Sequence, residues 1–412
     1  MSVVLLAALV AVSAAVLPGA SPPALADGAP SYGLDFTISL ERDSDLARVE
    51  ARVRQSRSYL KEVLWRRGTV EGIEGDGEIR DDDDVVRWLV PAEGGQIRFD
   101  VTIRHRRSDK GFDAWIGEDW AIFRGDDIVP SARTLTSGGA TSRTRLKIVT
   151  PDGWSSITAY PKGDDGWYLV DRPERRFDRP VGWMAAGRLG VRRASIDGVE
   201  VAVAGPVGLG LRRMDTLAFL NWNLPALTNV FDAFPRHLLV LSAGEPMWRG
   251  GLSGPSSLFL HQARPLISEN GTSTLMHELM HLAQGYRAAD GADWIVEGLA
   301  EFYSVEFMRR SGTLPANQAE RAFADQRDWG KDIDDLRSDR STGAVTARAA
   351  TLFAQLDAEV RRATAGEASL DDVARKLSAA GAPVDLEGLR AATESVTGAP
   401  SGVLADGKVP GY

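Results

Sequence analysis

Apolar residues recur at every second position between about Tyr32 and Gly205 and at every third or fourth position beyond it, and this single change of period constrains the chain more than any other feature. The first regime is clearest at Ile97, Phe99, Val101 and Ile103, which alternate with Arg98, Asp100, Thr102 and Arg104. A strand with this pattern buries one face and wets the other. Turn signals at Glu93-Gly94-Gly95, Pro151-Asp152-Gly153 and Gly163-Asp164-Asp165-Gly166 break the pattern, as in an antiparallel sandwich or saddle. After Gly205, Leu211 to Phe234 reads as helical segments interrupted at Pro225, and Leu238 to Leu241 as a short buried strand. From Trp294 onward helical spacing dominates. Ala349, Leu352, Phe353, Leu356 and Val360 share one face of a helix closed by Arg361 and Arg362. The expected class is therefore α+β, with a β-rich unit over residues 27–205 and a new domain beginning near 206.

With 412 residues, 43% of them hydrophobic, the chain has ample material for a core and a length suited to two or three domains. A net charge of -9 argues against binding nucleic acid or anionic lipid, because both need clustered Lys and Arg to displace counterions. Residues 1–26 carry no charge and run from the apolar stretch Val3 to Leu17 into Ala24-Leu25-Ala26. They read as a signal peptide cut after Ala26, giving a secreted or extracytoplasmic chain with no integral membrane domain thereafter. No Lys or Arg precedes the apolar run, so an uncleaved anchor is the alternative, opposed by a run shorter than the roughly 20 residues a span needs.

Cysteine is absent, which excludes disulfides, thiolate metal sites and a cysteine nucleophile together. Any metal must be held by His and carboxylates. The chain has five histidines, and two of them lie in His277-Glu278-Leu279-Met280-His281, within an apolar stretch that either Thr272 or Ser273 can cap. On a helix, a four-residue spacing places both imidazoles on one face, where they can share an ion. Glu278 then sits about 100° round the helix, beside the metal rather than on it, as suits a general base for water. A third ligand is required, with a fourth position left open. Trp294-Ile295-Val296-Glu297-Gly298-Leu299-Ala300-Glu301 offers two carboxylates one turn apart, after a loop containing Asp290-Gly291 that can return a second helix antiparallel to the first. One carboxylate would ligate and the other accept the free N–H of a ligating imidazole, and spacing alone leaves their roles interchangeable.

These residues resemble the gluzincin metallopeptidases, in which the third zinc ligand follows H-E-x-x-H within a W-x-x-E-G-x-[AT] stretch. The chain is most similar to the glycyl aminopeptidase family, without its PDZ domain, and more distantly to aminopeptidase N. Besides the metal motif, Asp178-Arg179-Pro180-Val181, Gly250-Gly251-Leu252, Leu356 to Arg361 and Ser369-Leu370-Asp371-Asp372-Val373 carry the likeness. The resemblance implies one zinc ion on His277, His281 and Glu297, Glu278 as base and Glu301 behind a ligand. It also implies a β-rich N-terminal domain, a thermolysin-like catalytic domain (206–305), a C-terminal helical domain (306–412), and a peptide or protein substrate. Gly250 and Gly251 would let an extended substrate strand approach an edge, although a plain turn explains them equally.

Two departures bear on mechanism. Where the family reads G-G-L-E-H, this chain reads Gly250-Gly251-Leu252-Ser253-Gly254, so Ser253 replaces the carboxylate that would meet a free amino group. The tyrosine that the family places before the Leu352 to Arg362 helix is missing from Thr342 to Arg348, so His261 or an arginine would have to stabilise the oxyanion. The expectation is an aminopeptidase-like zinc hydrolase; the alternative is a gluzincin-fold protein that binds peptides or acts as a scaffold with little or no catalysis. Elsewhere, Asp81 to Asp84 reads as a solvated turn, His105 and His237 as structural, and Asn270-Gly271-Thr272 as a turn before the histidine helix rather than a glycan acceptor.

Overall fold

A computed structural model describes residues 30–412, apart from 171, 173, 174 and 382. The expected signal segment lies outside the described residues. The N-terminal half is built from three sheets. The largest runs in the order Tyr168–Val170, Thr141–Val149, Ser31–Ser39, Leu46–Arg54, Gly94–Thr102, Glu71–Gly75. The alternation expected around Ile97 holds, with Ile97 and Phe99 buried against Leu34, Phe36, Val49, Trp65 and Trp88. A four-stranded sheet, in which Leu60–Arg66 and Val85–Leu89 are the inner strands, supplies Trp65 and Trp88 to that core.

The expectation of a wholly antiparallel N-terminal domain is corrected at one pair: Ser31–Ser39 runs parallel to Thr141–Val149. These strands are separated by most of the β-rich half, so no hairpin turn dictates their relative direction. Their shared edge is closed by ions as well as by apolar side chains. Asp35, 7% exposed, accepts from Arg54 at 2.9 and 3.1 Å and from Arg145 at 3.1 and 2.9 Å.

A five-stranded mixed sheet follows, in the order Leu189–Ile196, Val199–Pro206, His237–Ala243, Ser257–His261, Gly251–Gly254. The outer pairs are antiparallel and the two inner pairs parallel. The 205/206 boundary expected from the change of period falls at the end of Val199–Pro206, a strand that bonds directly to His237–Ala243. Local alternation marks a strand, but it does not say which sheet the strand will join. Pro225 does not interrupt its segment: Arg213–Thr228 is one helix that continues through Pro225, whose missing N–H leaves only the carbonyl of exposed Asn221 without a helical partner. Among the described residues, no helix is long and apolar enough to cross a membrane.

One face of the mixed sheet packs through Leu239, Leu241 and Phe259 on Trp183 and Ile122 of the β-rich half. The other face packs on helices Arg213–Thr228 and Thr274–Gln284, against which helix Asp293–Arg310 packs in turn. Helices Ala316–Gly330, Ala344–Ala363, Leu370–Ala380 and Leu386–Thr397 complete the C-terminal part.

The Asp35 cluster yields a stability test. Burial alone would raise the Asp35 carboxyl, but hydrogen bonds from Arg145 and Arg54 outweigh it and hold the pKa below the ordinary carboxylate value. A depressed folded-state pKa stabilises the protein above the unfolded value of about 4 and ceases to do so as pH falls through the folded value. Asp35→Ala should lower unfolding free energy by about 2 kcal/mol at neutral pH, less than for a fully buried pair because both arginines are partly solvated. Denaturant midpoints measured from pH 7 to pH 3 should converge for wild type and variant at the acid end.

Candidate metal centre

Ser273 caps the histidine helix, Thr274–Gln284, accepting from the Met276 N–H at 3.3 Å, and Gly285 ends it in the left-handed conformation at φ 68°. Of the two capping residues the sequence allowed, the structure uses Ser273. Leu275, Met276, Leu279, Met280 and Ala283 face the core. His277, Glu278 and His281 are therefore turned toward the edge strand Gly251–Gly254 and the glutamate helix, Asp293–Arg310.

The loop at Asp290-Gly291 reverses the chain with Gly291 at φ 74°, and Trp294 then anchors the glutamate helix, fully buried and stacked on Phe353 with centroids 5.9 Å apart. Gly298 lets helix Ala344–Ala363 come close: a Cβ there would lie 2.5 Å from that of Ala349. Glu297 and Glu301 are held one turn apart over the histidines.

His277 Nε2 lies 3.2 Å from Glu297 Oε2 and 3.2 Å from His281 Nε2, and His281 Nε2 is 3.4 Å from Glu297 Oε1. One donor atom from each of the three residues fits within a 4.8 Å span, the only metal-suited group among the described residues. Asp81 to Asp84 form no such group. Glu301 lies behind the set: its Oε2 accepts from His277 Nδ1 at 3.1 Å and its Oε1 from Gln326 Nε2 at 3.0 Å. Because a carboxylate can only accept, Nδ1 of His277 carries a proton toward Glu301, and Nε2 is the nitrogen turned toward Glu297 and His281. Two imidazole nitrogens and a carboxylate oxygen converging on one point, with Glu301 behind His277, form a donor set that fits a zinc-like ion.

The titration shifts reflect how closely these charges are packed. Burial opposes charge on His277, yet hydrogen bonds to Glu297 and Glu301 leave its pKa well raised. Burial and the neighbouring His277 push His281 down to about 4. Burial would raise Glu297, but the two histidines hold it below the ordinary value. Burial also lifts Glu278, opposed by His277 and by hydrogen bonds from the Ser253 hydroxyl and backbone N–H.

The cleft over these residues has a volume of about 350 Å³, and Gly250, Gly251, Trp248, Trp329, Arg264 and Thr346 are among its walls. Gly251 opens the free-edged strand Gly251–Gly254, and a Cβ on it would lie 2.7 Å from both Glu278 Cγ and Thr274 Cγ2. Gly250 lies under the Trp248 ring, which is itself stacked by Arg107 at 4.6 Å. His261, considered above as an oxyanion donor, lines a neighbouring hollow instead, with its Nδ1 accepting from the Ala263 N–H at 3.1 Å. Among the described residues no tyrosine lines the cleft; Tyr303 of the glutamate helix is buried and donates to Asp371 at 3.0 Å. Gln326, Arg264 and Trp329 had no signal in sequence spacing, because each arrives from a separate segment.

No family model matches the chain, and no curated protein matches it in sequence. Solved structures do match. An aminopeptidase N family protein from Idiomarina loihiensis superimposes with a TM-score of 0.63 at 12% identity, over 84% of this chain and 70% of that one. An M1 zinc metallopeptidase from Deinococcus radiodurans gives 0.54 at 14%, over 90% and 91%. The fold is that of the M1 zinc metallopeptidases. Leukotriene A4 hydrolase from Saccharomyces cerevisiae shares it more distantly, with a TM-score of 0.51 at 12% identity over 89% of this chain and 65% of that one. At these identities the likeness concerns the fold, and the site's chemistry rests on the geometry above.

Two substitutions separate the roles. Glu301→Gln should weaken zinc affinity about 10- to 100-fold, because the partner that orients His277 loses its charge, and competition with a chromogenic chelator measures this directly. Gly251→Ala should leave zinc affinity unchanged while displacing Glu278, lowering any hydrolysis about 100-fold.

Proposed function

We propose that the protein is an exported zinc peptidase that hydrolyses peptide bonds with Glu278 as general base. The observation that carries the proposal is the convergence of His277, His281 and Glu297 on one point beside a cleft that His277 and Glu297 line, with Glu278 next to it and a sheet edge along its rim. Zinc held by these three residues would supply a Lewis acid that polarises the scissile carbonyl and the attacking water. Glu278 takes the proton of that water on its carboxylate and hands it to the leaving amine. Its burial and raised pKa bring it closer to the range in which a carboxylate both accepts and returns a proton. Glu301 holds the His277 ring with Nε2 toward Glu297 and His281, the orientation in which it would ligate zinc. The Gly251–Gly254 edge can pair with an extended peptide backbone, and Trp248 and Trp329 offer flat apolar surfaces to its side chains.

Support for a peptide as substrate comes from the Deinococcus radiodurans M1 zinc metallopeptidase, whose Glu→Ala mutant has been crystallised bound to a Tyr-Ser-Ala substrate. Export rests on the uncharged, apolar residues 1–26. A metal-bearing protein that binds peptides without cleaving them is the second reading, favoured by the lack of any tyrosine among the cleft residues.

The deciting experiment is mass-spectrometric cleavage of a mixed peptide library by wild type and Glu278→Ala at equal zinc content. Wild type should cut, and the variant should lose at least about 100-fold in rate while keeping its zinc. Equal cleavage by both would overturn the mechanism, and zinc-loaded wild type that binds but never cuts would favour the second reading.

A further inference from the structure

We infer that Arg264 recognises a carboxylate of the substrate peptide, and that the cleft does not grip a free amino terminus. This deepens the peptidase reading and rests on it. The carboxylates lining the cleft are Glu278, Glu297 and Glu301. Glu297 faces His277 and His281, Glu301 uses both oxygens on His277 and Gln326, and Glu278 is buried with Ser253 donating to it. A substrate ammonium leaving water needs a carboxylate with free acceptor positions to offset its desolvation, and none is available here.

Arg264 is the opposite case. Its Nε donates to the Arg249 carbonyl at 2.9 Å and its backbone N–H to the His261 carbonyl at 2.9 Å, so the base of the side chain is fixed. Its two terminal nitrogens have no protein acceptor, and no carboxylate among the described residues comes within 4.0 Å of it. Neighbouring Arg249, by contrast, pairs with Glu245 at 2.7 Å. The Arg249 carbonyl holds the guanidinium just before Gly251–Gly254, at one end of the edge against which a substrate strand would pair. There Arg264 borders both the cleft and the hollow beyond it, which Gln262 and Thr216 also line. A planar fork with two free N–H groups matches a carboxylate in a bidentate arrangement.

That carboxylate can be a peptide's C-terminus or an acidic side chain, and the test separates the two. A single cleavable sequence is prepared with a C-terminal acid or amide, with Glu or Gln at each flanking position, and with a free or acetylated N-terminus. For zinc-loaded wild type, one acidic form should exceed its neutral counterpart at least about tenfold in kcat/KM, mostly through KM, and acetylation should change little. Arg264→Ala should erase the preference, and Arg264→Lys should restore it in part. Binding of the same peptides to zinc-loaded Glu278→Ala, followed by calorimetry, reads the preference without catalysis. If that protein prefers acids and loses the preference on Arg264→Ala while wild type cuts nothing, the peptidase reading fails and the role of Arg264 stands. Equal binding of acid and neutral forms, an acid preference unchanged by Arg264→Ala, or a strict need for a free amino terminus would each overturn the inference.

Discussion

Three electron-pair donors, two imidazole nitrogens and a carboxylate, are held within 4.8 Å of one another in a half-enclosed cleft, and they repel unless a positive charge stands among them. Much of the C-terminal half serves to keep them there. Trp294 pins the glutamate helix, Gly298 removes the Cβ that would push it from helix Ala344–Ala363, and Gln326 reaches across from another helix to Glu301. A loose scaffold would let Glu297 swing into water, where a carboxylate is better solvated, and the site would open. Each of these contacts resists that relaxation, so the site is organised before any ion enters it.

Glu278, the general base in the proposed mechanism, is positioned by a different part of the molecule. Glu278 rests against Gly251 on the edge strand, and that strand belongs to a sheet whose far face packs on Trp183 from the β-rich half. Trp248, which closes over Gly250, is stacked by Arg107 of the same half. The β-rich half thus sets the wall opposite the metal without contributing a ligand. Metal affinity and base placement depend on separate supports, so they can be perturbed one at a time.

The convergence of His277, His281 and Glu297 was legible because its geometry is local: a four-residue helical spacing and a carboxylate pair one turn apart each fix directions from sequence alone. Which of Glu297 and Glu301 faces the outer nitrogens was not legible from spacing, since it depends on how far the second helix slides along the first. The alternation around Ile97 showed strands but not the parallel pairing of Ser31–Ser39 with Thr141–Val149, because the period of a strand is the same in either direction. Pro225 reads as a break in any local scheme, yet it costs the helix one bond, to a carbonyl at exposed Asn221 that water can reach. Gln326, Arg264 and Trp329 come together only through tertiary packing, and nothing in their own neighbourhoods marks them.

The fold persists at 12% identity to proteins it matches over most of its length, while no family model matches the sequence. Few positions in such a structure are chemically irreplaceable. Core strands and helices need apolar side chains of about the right size at the right period, and many residues satisfy that. The strict requirements fall on two histidines, two glutamates and the base, and on the close-approach glycines Gly251 and Gly298. A sequence can drift almost everywhere else while the site keeps its shape. The walls of the cleft are freest to change, since they bear on which peptide is held rather than on whether the metal is. Arg264 and the tyrosine-free stretch from Thr342 to Ala347 line that wall, and Ser253 reaches it through its hydrogen bonds to Glu278, so the proposed choice of peptide rests on these positions.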